Sequence, residues 1–163
     1  MYALIAAAGI AMAGEYGLTA QAYAWPNSAR HEIAPMGTLW GSWDFGRYGG
    51  ITFEGSVGGN TFRTDAYRYS MVHFRPSLLL ELRAKRQRTT FRLGFGPSGT
   101  FRTVAITTRS YRINVMDMGP GGRVRAALDL SIAEKAHLIW HMGSNLTPLG
   151  VELDAGLGIG FNP

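Results

Sequence analysis

In residues 149–161, LGVELDAGLGIGF, apolar and polar positions alternate one by one. Val151, Leu153, Ala155, Leu157, Ile159 and Phe161 are apolar, while Glu152, Asp154, Gly156, Gly158 and Gly160 are charged or have no side chain. A period of two puts successive side chains on opposite faces of a strand, so one face is oily and the other polar or empty. The same dyad recurs along most of the chain. Closing such a sheet on itself removes every unpaired edge.

The alternation can be followed from Tyr16. Tyr16, Leu18, Ala20, Ala22 and Ala24 oppose Glu15, Thr19 and Gln21; Leu39, Trp43 and Phe45 oppose Thr38, Trp40, Ser42 and Asp44; Ile51, Phe53 and Val57 oppose Thr52, Glu54 and Ser56. Val72, Phe74, Leu78, Leu80 and Leu82 then oppose His73, Arg75, Ser77, Glu81 and Arg83, with Leu79 the exception. Pro76 lacks a backbone donor and predicts a bulge or a break in pairing. Phe91, Leu93 and Phe95 oppose Arg88 and Arg92, and a phase change predicts a bulge or loop near 107–109. Val124, Leu128 and Leu130 oppose Arg123, Arg125 and Asp129; Leu138, Trp140 and Met142 oppose Lys135, His137 and His141. The GPSG segment reads as a turn or the start of a loop, and MDMGPGG as another turn. Eight strands are expected, ten being possible, each about 9–12 residues long, which suits a tilted membrane-spanning strand.

At 163 residues the chain is long enough for one domain over 1–163. It lacks cysteine, so disulfides and thiolate metal sites are excluded. Of its 16 basic residues 14 are arginine, spread one or two per strand, a pattern that argues against nucleic-acid binding. Residues 1–24 read as a first strand, with a retained signal peptide as the alternative: the segment is apolar but has no basic leader, and Glu15 interrupts it.

The dyad does not say which face points inward. A membrane barrel and a soluble, lipocalin-like carrier of a hydrophobic ligand give the same alternation. Three features favour the membrane. The polar face is rich in arginine and acids and nearly free of lysine, unlike a water-facing surface. Glycines take polar-face positions in the last strand, leaving room inside a narrow barrel. Aromatics fall near strand ends, at Tyr23, Trp25, Trp43, Phe45, Tyr67, Tyr69, Trp140 and Phe161, as in an interfacial girdle.

The expectation is an all-β, closed, antiparallel up-and-down transmembrane barrel of a bacterial outer membrane. Arg75, Glu81, Arg83, Arg88, Arg92, Arg123, Arg125, Asp129, His137, Glu152 and Asp154, with Glu54, Asp44 and Lys135, would line its lumen. Paired, they form a plug; unpaired, a selective pore. No cofactor is expected. A metal site is not expected either, because His137 and His141 lie about 13 Å apart along a strand. Partners would be outer-membrane lipids and lipopolysaccharide, with protein contacts through loops 26–36, 59–67 and 143–148.

One constellation suggests chemistry. His141, Ser144 and Asn145 in WHMGSN precede Glu152, and a histidine, a serine and an acid can form an acyl-transfer set. With FRPSLLLEL followed by FRLGFG, this C-terminal half resembles the small outer-membrane lipid A 3-O-deacylases. That family carries His-x-Ser-Asn on the penultimate strand and a catalytic glutamate on the last. The resemblance implies an esterase using Ser144, His141 and Glu152. Gly143 lengthens the motif by one residue, and the alternation puts His141 on the lumen face, whereas the family's site faces lipid.

Overall fold

The computed structural model describes residues 14–24, 33–148 and 150–163. Among them, eight strands follow one another: β1 (Glu15–Ala24), β2 (Ile33–Phe45), β3 (Gly49–Arg63), β4 (Tyr67–Arg86), β5 (Thr89–Thr108), β6 (Arg112–Ala133), β7 (Ala136–Thr147) and β8 (Gly150–Phe161). Each pairs antiparallel with its neighbour, and β1 pairs with β8 from Tyr16↔Phe161 to Ala24↔Leu153, closing the barrel. The count is eight, not ten. Of the N-terminal segment 1–24, residues 15–24 form β1, while residues 1–13 lie outside the described residues, as do residues 26–32 of loop 26–36.

The alternation sorts the side chains as the dyad requires. Leu80, Leu128 and Leu157 are 49%, 41% and 66% exposed, while Arg92 and Arg125 are 2% and 4% exposed. The wall is therefore oily outside and charged inside, the reverse of a soluble carrier, whose cavity would be apolar. Closure satisfies the strand hydrogen bonds that a hydrocarbon surrounding could not. A charge on the outer face at mid-height should be costly: Leu128→Arg is expected to lower stability by about 2–4 kcal/mol, read by urea unfolding in lipid vesicles.

The strands are unequal. β4, β5 and β6 span 20, 20 and 22 residues against 10 for β1 and 12 for β8, so β4–β6, together with the Gly59–Arg63 end of β3, rise beyond the rest of the wall. GPSG and MDMGPGG lie inside β5 and β6, not in turns. They face each other across the ladder, Pro97 opposite Gly122 and Gly99 opposite Pro120, so each proline ring meets a residue without a side chain. Pro76 interrupts the β4–β5 pairing, which resumes in the same register without a bulge. The phase change near 107–109 is the hairpin turn between β5 and β6.

Several boundaries move. Residues 33–36 of the expected loop 26–36 belong to β2, residues 59–63 of 59–67 to β3, and residues 143–147 of 143–148 to β7. Proline in the first of these strand ends, and polar or glycine-rich composition in the other two, give them the look of loops.

Candidate functional site: the charged interior

Strand parity carries five buried arginines into the lumen: Arg75 and Arg83 from β4, Arg92 from β5, and Arg123 and Arg125 from β6; Arg102, of the same parity on β5, is half-buried beside Asp117. Glu54, Glu81, Asp129, Glu152 and Asp154 meet the five, all buried. Near the end where β1 begins and β8 ends, Arg83 joins Asp44, Ser42 and Glu81, the last at 2.8 Å. Arg92 joins Asp129 and reaches Glu15 at 2.6 Å. Its guanidinium also lies 5.5 Å from the centre of the Trp40 ring, a cation–π distance.

Above this, Arg125 holds Glu54 and lies 3.3 Å from Glu81. Arg123 donates from Nε to Glu54 at 2.8 Å and from both Nη atoms to Asp154 at 2.7 and 3.1 Å. This forked contact uses the planar guanidinium in the way a lysine could not. Arg75 reaches Asp154 at 2.9 Å and Glu152 at 3.5 Å. In a ring of eight, β4 faces β8 and β1 faces β5. The Arg75–Asp154 and Arg92–Glu15 contacts therefore cross the full width of the barrel.

Higher still, Asn145 donates to Thr100 at 3.1 Å and to Glu152 at 3.0 Å, and accepts from Ser98. Towards the far end the lining turns apolar: Tyr23, Ala34, Met36 and Met71 cluster, with Tyr69 and Val104 packed against them. Tyr23 and Tyr69 thus face the lumen, not a membrane girdle, because they share the parity of Gln21 and His73. Phe45, Trp140 and Phe161 are outward and exposed; Trp25 lies outside the described residues.

Two expected lining residues are elsewhere. Arg88 is exposed in the Gln87–Arg88 turn, where Gln87 adopts φ 50°. Lys135 is exposed in the turn before β7. Alternation was extended to both through residues that reverse direction. His137 is buried beside Trp40, with ring centres 6.2 Å apart.

Ser144, His141 and Glu152 are not brought together. His141 and Glu152 point into the lumen, and His141 Nε2 lies 2.6 Å from Gln21 Oε1. Ser144 has the opposite parity and lies on the outer wall, in a groove with Ala22, Met142 and Leu153. The sheet separates nucleophile from base: Ser144 stands three residues after His141, and an odd spacing along a strand puts the two on opposite faces. Glu15, Gln21 and Asn145 enter the lumen contacts without any expectation from sequence, because cross-lumen contacts have no signature within a single strand.

The fold and its inverted polarity define a transmembrane β-barrel of the eight-stranded outer-membrane type. No sequence-family model matches the chain, and no curated protein matches it. Solved structures do. The attachment invasion locus protein Ail of Yersinia pestis superposes with a TM-score of 0.66 at 9% identity, covering 92% of this chain and 99% of Ail. Neisserial surface protein A gives 0.66 at 9% identity, covering 93% and 98%. The outer membrane protein OprG from Pseudomonas aeruginosa gives 0.66 at 10% identity, covering 91% and 95%. At such identities the likeness is one of fold.

Proposed function

We propose that this chain is an outer-membrane anchor whose lumen is plugged. It holds the projecting ends of β3–β6 at the cell surface and does not conduct. Short turns mark the periplasmic end of such barrels and longer projections the extracellular end, which orients the molecule. The observation that carries the reading is the set of ion pairs spanning the lumen, Arg75–Asp154 and Arg92–Glu15 above all. Eight strands enclose a space that side chains can fill, and these pairs draw opposite walls together through it. In planar bilayers the purified barrel is expected to give no discrete conductance steps. Regular steps from the unaltered protein would favour the narrow-pore reading instead.

A further inference from the structure

Pairing places Arg63 opposite Arg68, Arg68 opposite Thr107 and Thr107 opposite Arg112. These four residues form one row across four adjacent strands, and parity puts all of them on the outer face. Like charges directly opposite each other weaken a sheet, so the Arg63–Arg68 pair does not serve the fold. The ion pair nearby is Arg102 with Asp117 on the inner face; among the described residues none of the three row arginines has one. Arg112 Nε donates to Asn114 at 3.2 Å, a contact that does not engage its terminal nitrogens. Arg68 and Arg112 line one concavity together with Ser70, Ala105 and Thr107.

Height identifies the occupant. Below the row lie Thr61, Ser70, Ala105 and Asn114, and below those Gly59, Val72, Thr103 and Met116, where the apolar belt begins. Arg68 stands four residues above Val72, about 10 Å in height for a tilted strand. That is the headgroup layer, and the row faces sideways into it, not upward to solution. Arginine stems can lie along the wall while their heads reach charge.

We infer that Arg68 and Arg112, with Thr107 between them and Arg63 alongside, form a binding site for the phosphate groups of lipopolysaccharide in the outer leaflet. Forked guanidinium contacts and a hydroxyl donor suit a phosphate. The inference rests on the membrane reading and on the orientation given above.

The test titrates fluorescent bisphosphorylated lipid A, and its dephosphorylated form, into phosphatidylcholine bicelles holding the full chain. The unaltered barrel is expected to prefer the phosphorylated lipid. Arg68→Gln and Arg112→Gln should each weaken its binding about fivefold, and the pair together about twenty-five-fold, with folded migration on gels retained. Arg88→Gln, at the opposite end, should change nothing. Equal binding of both lipids, an unaffected double variant, or an equal loss in Arg88→Gln would overturn the inference. Failure of the unaltered barrel to enter bicelles would instead overturn the membrane reading beneath it.

Discussion

Arg123→Ala is expected to destabilise the barrel by about 3 kcal/mol or more, because it leaves buried carboxylates short of a cation. Arg123 makes three short contacts with Glu54 and Asp154 while 1% exposed. Arg125 and Arg75 remain beside these acids, but they already serve Glu81 and Glu152. The lumen would carry an uncompensated negative charge out of water's reach. Urea unfolding in lipid vesicles, followed by the shift between folded and unfolded gel mobility, gives the number. Arg123→Ala combined with Glu54→Gln should recover part of the loss, since removing both partners is cheaper than removing one. A single variant within about 1 kcal/mol of the unaltered barrel would show that the network contributes little.

Gly158→Val should have an effect of similar size through sterics alone. A Cβ at Gly158 would sit 2.3 Å from the Leu18 carbonyl oxygen, 2.4 Å from Thr19 Cγ2 and 2.7 Å from Thr19 Cα. Two of those atoms are backbone of β1, the strand that β8 must meet to close the ring, so they cannot swing aside. Overpacking of this kind costs about 3 kcal/mol, and here it acts at the seam. The expected outcome is a chain that fails to acquire folded mobility on gels after dilution from urea into vesicles. Normal folding of Gly158→Val would mean that the β1–β8 contact is looser than described.

The architecture was legible because alternation is a local property. Leu80 and Leu82 against Glu81 and Arg83 already fix which residues share a face, and even the odd Leu79 falls inward as its parity demands. Direction needed more: arginine without lysine on one face, and glycine at 156, 158 and 160, whose missing side chains make room for Gln21, Thr19 and His137. Turns misled. Gly96–Gly99 and Gly119–Gly122 have the composition of loops, but they face each other and pair as strands. The interior contacts were illegible for a different reason. Nothing within β8 tells that Asp154 will meet Arg123 from β6 and Arg75 from β4; only the closed ring brings them together. The outer arginine row is likewise invisible in sequence, since Arg63, Arg68 and Arg112 become neighbours only through register.

The most direct test of inverted polarity uses the cysteine-free background. Single variants Leu80→Cys, Leu128→Cys and Leu157→Cys, labelled with a small fluorophore in vesicles, should be quenched by brominated lipid chains and shielded from aqueous iodide. Quenching by iodide with no effect of the brominated lipid would place these side chains in water and contradict the account.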